Sequence, residues 1–451
     1  MTPLPMRPFL LLLLGLISAE AQKTSGPVNV LLLVADDLGW NGVSYHNPRM
    51  TTPALAKLAK EGVQLERFYG YPVCSPARSA LLSGMMPRRF GVVDVVGPGQ
   101  QGIPKGTPTL ASTLQKAGYA TSLIGKWHLG TNPGPLGYGF DHFYGFMGAE
   151  LDYFKHLDPR GRPDWWRDNQ PIAEEGYATT LFADEAIRQL RKRDPRKPFF
   201  LEVAFNAPHT TLAAPKELLE KHKSDGLYEA VVDGLDQGIG RILATLDELG
   251  LREDTLVIFC SDNGAPRRIS PNTPLNNGKD TVFEGGIRVP AIVRWPGKVA
   301  AGVRSQQPVA MHDLFPSILA ALKLAPPAEV RFDGSDQWAP LASGQTKPRP
   351  AFLIASHDIA CFDGDWKLLE TGDGKRLLFN LAQDLGEEKD VAAEQPELLK
   401  TLGAKLDALK KDLPAAAERR TGGPGPGGQG KGPGPGGLGK GPAGKGKGFA
   451  K

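Results

Sequence analysis

The chain has 451 residues, which is long enough to bury a large core and to form more than one domain. Its formal net charge of +4 is unevenly distributed, because residues 421–451 contain five lysines and no acidic residue. Of the 53 basic residues, 48 lie elsewhere, against 49 acidic ones, so the rest of the chain is close to neutral. This near-neutral body carries no nucleic-acid-binding motif, and we therefore expect no nucleic-acid partner.

The first 21 residues are predicted to be a secretory signal peptide. Arg7 precedes an apolar run over residues 9–17, and residues 19–21 (Ala-Glu-Ala) have the small-x-small pattern that signal peptidase cleaves. The alternative is an uncleaved membrane anchor, but the run is far shorter than the ~20 apolar residues that span a bilayer. We therefore expect an exported protein, periplasmic or secreted, with no transmembrane anchor.

Residues 415–451 form a tail rich in glycine, proline and lysine. The tail has too few core-forming residues to repay the entropy of ordering, so its composition predicts disorder. Two interpretations stay open: a flexible extension that binds acidic polymers or surfaces, and a solubilising tail with no specific partner.

Predicted strands and helices alternate along the body of the chain. The first strand is the apolar run VNVLLLVADDLGW, which is typical of a central strand buried on both faces. Thr52-Pro53 opens a helix that ends near Gly62, and GVQLERFYG is the next strand. The segment PTLASTLQKAGYATSLIGKW has the pattern of a helix, a glycine stop and another strand.

The alternation continues through a helix (TTLFADEAIRQLRKR), a strand (KPFFLEVAFNAPH), a long helix from about Gly226 to Leu249, and a strand (DTLVIFCSDNG). This order predicts a mostly parallel sheet covered by helices on both faces. The segments VPAIVRWPG and MHDLFPSILAAL complete this first domain, which we predict to span residues 22–335.

Residues 336–414 have a different pattern. AFLIASHDIACFDGDWKLLE and GKRLLFNL resemble short strands joined by tight turns, and QPELLKTLGAKLDALKKDL is an amphipathic helix. The predicted fold class is therefore α/β, with a large, mostly parallel sheet flanked by helices and a smaller C-terminal antiparallel sheet plus a helix.

Polar side chains follow three of the predicted strands, at the point where each strand ends. In an open α/β sheet these ends border one crevice, so we expect the side chains to converge on a single site. They are Asp36 and Asp37 after the first strand, Asn206 and His209 after the middle strand, and Asp262 and Asn263 after the last.

Four of these residues offer only hard oxygen ligands, with no adjacent histidine or second cysteine to favour zinc. Such a set suits calcium, and suits magnesium less well because magnesium keeps more water and a stricter octahedron. The alternative for any single acid is that it caps a helix or starts a turn. The four are Asp36, Asp37, Asp262 and Asn263.

Three cysteines are too few for a disulfide scaffold, and Cys260 lies in an apolar run that predicts burial. Cys74 is different, because Ser75-Pro76 has the pattern of an N-cap and first helical residue, with the helix continuing through Arg78 to about Leu82. A helix N-terminus lowers the pKa of a thiol, which favours a functional Cys74. A conventional thiol nucleophile is one interpretation, although the oxygen-only metal set and an oxidising destination weaken it.

The sequence Cys74-Ser75-Pro76-Ala77-Arg78 matches the Cys-x-Pro-x-Arg signature of the formylglycine-dependent sulfatases, in which the cysteine is oxidised to an aldehyde. The resemblance extends through LLSGMMPRRFGV, GKWHLG, FNAPHTTL, SDNG and NNGKDTVFEGGIRVP, roughly from residue 29 to residue 340. It implies an arylsulfatase-like enzyme with an alkaline phosphatase-like fold, similar to the bacterial carbohydrate sulfatases.

The resemblance also implies roles for individual residues. One Ca²⁺ would be bound by the four oxygen-bearing residues together with the modified Cys74, which a formylglycine-generating maturation enzyme would convert. Arg78 would hold the aldehyde hydrate, whose hydroxyl attacks sulfur. Thr211 stands where the family pattern has proline, which leaves the loop around His209 in question. The remaining catalytic positions are Lys126, His128, His209 and Lys279.

The chemistry that the resemblance implies gives each of these four a task. Calcium, Lys126 and Lys279 would offset charge on the sulfuryl oxygens in the transition state. His209, with Lys279, would protonate the departing alcohol. His128 would take the proton of the second hydroxyl of the hydrate and so expel sulfate.

The expected substrate is a sulfated carbohydrate, and the aromatic, charged segment from Gly148 to Gln170 is where sugar-directed members of the family have a loop over the site. An equally weighted alternative is that its two tryptophans fix a long loop to the domain. The substrate-contact candidates are Asp152, His156, Trp165 and Trp166, followed by Arg267, Arg268 and His312.

Two other functions stay open at this stage. One is a phosphate or phosphonate ester hydrolase of the same superfamily, which is disfavoured because the chain has ligands for one metal only. The other is a catalytically silent protein that binds sulfated glycans with its basic tail, which is disfavoured because no catalytic position is missing.

Overall fold

A computed structural model describes residues 28–97, 99–270 and 272–415. The predicted signal peptide and all but the first residue of the predicted tail lie outside these ranges. Within them, no helix is both long and apolar enough to cross a membrane.

The larger sheet of the described residues has ten strands in the order β10-β2-β9-β8-β1-β7-β3-β4-β5-β6. β9 runs antiparallel to both neighbours, β5 pairs antiparallel with both β4 and the edge strand β6, and the other pairs are parallel. The strands are β1 Asn29–Ala35, β2 Val63–Tyr69, β3 Ala120–Lys126, β4 His142–Phe146, β5 Trp166–Arg167, β6 Gln170–Pro171, β7 Phe199–Ala204, β8 Thr255–Ser261, β9 Ala291–Arg294 and β10 Val303–Ala310.

The described helices number ten. They are α1 Pro53–Glu61, α2 Cys74–Ser83, α3 Leu110–Lys116, α4 Ala178–Lys192, α5 Lys216–Lys221, α6 Leu227–Glu248, α7 Glu284–Ile287, α8 Leu314–Leu322, α9 Trp338–Ser343 and α10 Pro396–Lys410.

Strand β1 lies at the centre of the larger sheet, between β7 and β8, and its side chains alternate between two cores. Leu31 and Leu33 pack with α1, α4 and α6 on one face, whereas Leu32 packs with α2, α3 and α8 on the other. Burial on both faces explains why the sequence of β1 is continuously apolar.

The smaller sheet is antiparallel and has four strands in sequence order. Helix α10 packs on one of its faces, where Leu402 and Leu406 contact a core that includes Leu368. The predicted fold class is confirmed, while the domain boundaries stay predictions. The strands are β11 Phe352–Ala355, β12 Ile359–Asp363, β13 Trp366–Glu370 and β14 Arg376–Asn380.

Candidate active site

The polar residues that follow β1, β7 and β8 meet at the C-terminal edge of the larger sheet, as the topology predicts. The Asp37 backbone N–H donates to Asp262 Oδ1 at 3.1 Å, and Asn263 Nδ2 donates to Asp37 Oδ1 at 2.7 Å. Asp37 and His128 have left-handed backbones, with φ of 68° and 54°. Such strain in residues other than glycine is concentrated at functional sites.

Helix α2 begins two residues earlier than Ser75-Pro76 predicts. Cys74 is its first residue, Val73 is its N-cap, and no side chain caps it. Ser75 Oγ instead donates to the His128 carbonyl at 3.0 Å and accepts from the Val96 N–H at 2.9 Å. Ser75 therefore ties the helix to two neighbouring segments, and Cys74 stands at the helix N-terminus.

The Cys74 thiol is buried among charged groups. Its Sγ donates to Asp36 Oδ1 at 3.2 Å and lies 3.5 Å from Lys279 Nζ. Burial and the charge of Asp36 raise the pKa of the thiol well above its usual value. The expectation that the helix N-terminus lowers this pKa is wrong, because desolvation and a like charge outweigh the helix dipole. A protonated thiol is a poor nucleophile, which argues against conventional thiol catalysis.

Three cations surround the carboxylates. Lys126 Nζ donates to Asp36 Oδ2 at 2.6 Å, and Lys279 Nζ donates to Asp37 Oδ2 at 2.9 Å. Arg78 donates to Asp262 Oδ2 at 3.1 Å and to the Lys126 carbonyl at 3.0 Å. Arg78 thus orders both the acidic cluster and the chain at Lys126.

The acids differ in their pKa values. Burial alone would raise the pKa of Asp36, but nearby cations, Lys126 foremost, hold it below its usual range. Burial and the charge of Asp36 raise the pKa of Asp262 to about 7. The cations present are therefore too few to keep the pKa of every carboxyl in the cluster low. A bound divalent cation would supply the missing positive charge.

The donor set fits calcium. Ligand atoms of Asp36, Asp37, Cys74 and His209 lie within 4.8 Å of one another. Asn263 Oδ1 is buried and has no hydrogen-bond partner among the described residues, which leaves a free oxygen ligand beside the carboxylates. An oxygen-rich set of this kind suits a hard cation.

Both site histidines are neutral at neutral pH. Burial and the charge of Lys126 lower the pKa of His128, whose two ring nitrogens are buried without a hydrogen-bond partner in the described part of the chain. Burial and the charge of Lys279 lower the pKa of His209 to about 4. His209 Nε2 lies 3.2 Å from Lys279 Nζ, so the two groups face the same space.

This geometry agrees with the comparisons to known proteins. The sulfatase family model matches residues 28–324. The chain belongs to the sulfatase family. It is therefore a sulfuric ester hydrolase.

Two groups of relatives illustrate the match. N-acetylgalactosamine-6-sulfatase of Canis lupus familiaris is 36% identical over 380 residues, which cover 76% of this chain and 71% of that protein. The Homo sapiens protein of the same name is 36% identical over 362 residues, covering 72% and 68%. The crystal structure of Ps i-CgsB in complex with k-i-k-neocarrahexaose matches with a TM-score of 0.81 and 28% identity, and the match covers 87% of this chain and 94% of that one.

In this sulfatase, several of the substrate-contact candidates are buried or half-buried and contact other side chains of the protein. Trp165 is 2% exposed and stacks on His156, with ring centroids 4.0 Å apart. His312 is also buried, and its Nδ1 lies 2.9 Å from the Tyr71 hydroxyl. Half-buried Trp166 donates from Nε1 to Asp164 Oδ1 at 2.7 Å. The contacts of Trp165 and Trp166 support the alternative in which the tryptophans fix the loop.

The other candidates are exposed. Asp152 accepts from the backbone N–H groups of residues 154 and 155, which makes it the acceptor of a turn. Arg267 donates to Asn277 Oδ1 at 3.1 Å, two residues from Lys279. Arg268 is exposed beside it. Arg267 therefore lies near the site, on the side of Lys279.

Sequence reasoning missed Glu150, which lines a narrow crevice with Asn206 and His209 at the edge of this site. Burial raises the pKa of Glu150, although Lys126 and Lys279 oppose that shift. The side-chain amide of Asn206 is buried with no partner for either polar atom among described residues. Glu150 follows β4, so the strand-end rule would have found it had that strand been recognised.

Proposed function

We propose that this sulfatase is calcium-dependent, uses a formylglycine made from Cys74, and removes sulfate from a carbohydrate. The observation that carries the proposal is the placement of Cys74. Its Sγ lies at a helix N-terminus between Asp36 and Lys279, inside the Cys-x-Pro-x-Arg sequence. A neutral buried thiol has no evident catalytic use there, whereas an oxidised precursor does.

Calcium would be held by the carboxylates of Asp36, Asp37 and Asp262 and by Asn263 Oδ1, together with residue 74. Once bound, the ion would offset negative charge on the sulfuryl oxygens. Lys126 and Lys279 already point into this space, and they would bind the same oxygens.

The hydrate of a formylglycine at position 74 would supply two hydroxyls: one would attack sulfur as the alcohol leaves, and loss of the proton from the other would expel sulfate and regenerate the aldehyde. Arg78 is fully buried one turn along α2 and would orient this group. The unpartnered nitrogens of His128 make it a base that can accept a proton close to residue 74. This arrangement supports the roles implied by the sequence.

The departing alcohol would leave on the side of His209. Nδ1 of this histidine lies 2.6 Å from the carbonyl of residue 210, which fixes the ring with Nε2 toward Lys279. A proton held between Lys279 and His209 is therefore available to the leaving oxygen. Alcohols of high pKa, such as sugar hydroxyls, need that proton more than phenols do.

A carbohydrate substrate is supported by the relatives, whose names specify a sulfated amino sugar and a neocarrahexaose complex. The exposed Asp152, Arg267 and Arg268 stay as proposed sugar contacts. Trp166 is a further proposed contact, whereas His156 and Trp165 would act only by supporting the loop, and His312 would act only through Tyr71. We further propose export through residues 1–21, a catalytic domain over 22–335, a small domain over 336–414 and an acidic-polymer-binding tail.

Mass spectrometry of one peptide tests the modification. Trypsin should release residues 68–78, and protein from the native host should contain the lighter aldehyde at position 74. The peptide that contains Cys361 is the internal control and should keep its thiol. If position 74 carries only cysteine in protein that hydrolyses sulfate esters, the formylglycine proposal fails.

A further inference from the structure

Lys279 lies in a segment, residues 276–287, that ends with α7 and is held by backbone hydrogen bonds within itself and to Ala265. The Gly285 N–H donates to the Asn276 carbonyl at 2.7 Å, and the Lys279 N–H donates to the Ala265 carbonyl at 3.2 Å. A Cβ added at Gly285 would lie 2.3 Å from the Asn276 oxygen, so the two ends of the segment touch. Residues 276–287 therefore form one closed segment, with Lys279 at the site and Glu284 on the far side.

The far side of this segment meets a buried ion cluster from the C-terminal part of the chain. Lys367 Nζ, on β13, lies 2.9 Å from Glu284 Oε1 and 2.7 Å from Glu387 Oε1. The side chains of Lys367 and both glutamates have no exposed surface. Buried charges that are paired this closely resist displacement, because separating them would leave an unpaired charge in the interior.

Glu387 also binds both ends of the segment. Its Oε2 accepts from the Glu284 N–H at 2.6 Å, and its backbone carbonyl accepts from Asn276 Nδ2 at 3.3 Å. Glu387 has a left-handed backbone, with φ of 50°, which a residue other than glycine keeps only when its surroundings hold it there. The C-terminal part of the chain is thus hydrogen-bonded to the segment at residues 276 and 284.

We propose that Lys367 and Glu387 are positioning residues that hold Lys279 at the active site, so that the smaller sheet is part of the catalytic apparatus. The inference rests on the proposed function, which gives Lys279 its role. An ammonium group that acts on sulfuryl and leaving oxygens must stay within hydrogen-bond distance of them. A displacement of about 1 Å can cost on the order of 100-fold in rate.

A double-mutant cycle tests the inference. Glu387→Ala and Lys367→Met are each made in the wild-type and Lys279→Ala backgrounds, and kcat/KM for an aryl sulfate is normalised to the modified fraction of residue 74. In the wild-type background we expect each variant to lower kcat/KM by about 10- to 100-fold. With Lys279 absent, the same changes should lower it by no more than about twofold. Equal losses in the two backgrounds would overturn the inference.

Leaving-group dependence gives a readout that a general loss of stability would not change. If Lys279 is displaced, esters of weakly acidic phenols should lose more rate than esters of strongly acidic phenols. Glu387→Gln keeps an oxygen acceptor for the Glu284 N–H and should recover part of the loss seen with alanine. A uniform loss across all phenols, without recovery in the glutamine variant, contradicts positioning.

Arg376→Met is the matched control. Arg376 lies on β14 and pairs with Glu370 and Asp407 within the smaller sheet and α10, away from the Lys279 segment. This variant should keep wild-type kcat/KM; a loss equal to that of Lys367→Met would overturn the inference. Failure of the proposed function would look different, since wild-type protein would then carry unmodified cysteine at position 74 while still hydrolysing sulfate esters.

Discussion

The active site and the Lys367 cluster are both buried and both charged, but they differ in how their polar groups are satisfied. At the active site, Asn263 Oδ1 and both nitrogens of His128 have no partner among the described residues. At the C-terminal cluster, Glu387 Oε1 also has no hydrogen-bond partner among the described residues, but it is ion-paired with Lys367 at 2.7 Å, and Lys367 pairs with Glu284 at 2.9 Å. Unpaired buried groups indicate a place that a ligand completes, whereas closely paired ones indicate a place that holds structure.

The largest expected effect is a difference in activity between variants of two buried cysteines: Cys74 at the candidate site and Cys361 in the smaller sheet. Cys74→Ala should lower sulfate release by at least about 1,000-fold, because it removes the proposed nucleophile. Cys361→Ala, on β12 of the smaller sheet, should keep activity and lose about 1 kcal/mol of stability through a small cavity. Sulfate release and thermal unfolding of both variants measure this contrast. Surviving activity in the Cys74 variant would contradict the mechanism.

Removal of calcium should affect the first region alone. Dialysis against a calcium chelator should abolish activity, and added calcium should restore it. Asn263→Ala should raise the calcium concentration needed for half-maximal activity by about 10- to 100-fold, since it deletes one oxygen ligand. Asn169→Ala, at an exposed position, is the control and should not shift that concentration. Full activity in metal-free protein would exclude the calcium site.

The second region should dominate stability. Lys367→Met should lower the free energy of unfolding by about 3–5 kcal/mol, because it leaves Glu387 buried without a cation and Glu284 with Arg288 alone. Arg376→Met, in a partly exposed pair of the same sheet, should cost less than about 1 kcal/mol. Denaturant unfolding compares the two variants. Similar losses of stability in the two variants would mean that the buried Lys367 cluster stabilises the fold no more than an exposed ion pair does.

The smallest effect concerns Asp236, a buried acid that forms no ion pair among the described residues. Asp236 on α6 accepts from the N–H groups of residues 54 and 55 at 2.8 Å, and burial raises its pKa to about 6. Because the pKa is higher in the folded state, this side chain stabilises the protein most at low pH, and the stabilisation is lost as the pH rises through 6.

Comparison with Asp236→Asn isolates this contribution. The stability of the wild type relative to the variant should fall by about 1 kcal/mol between about pH 5 and pH 7.5. Urea unfolding of both proteins at each pH provides the measurement. A difference that stays constant over this range would show that the carboxyl group is not perturbed by burial.

The fold class and the residues that make up the candidate site could be predicted from the sequence alone. Apolar runs and helical periodicity depend on neighbouring residues, and the strand-end rule places Asp36, Asp37 and Asp262 together once the strands are parallel. The cysteine signature depends on five consecutive residues. Each of these signals depends on residues that are close together in the sequence or on the order of the strands. A single sequence is therefore enough to detect them.

The environment of each side chain, by contrast, depends on the tertiary structure. The thiol of Cys74 has a raised pKa because Asp36, distant in sequence, shares its buried space. Trp165 points into the core and not toward a sugar, which its aromatic character could not reveal. Lys367 reaches Glu284 across 83 positions of sequence. Burial and charge pairing connect residues that are far apart in sequence. They determine the pKa of Cys74 and, as we propose, the position of Lys279.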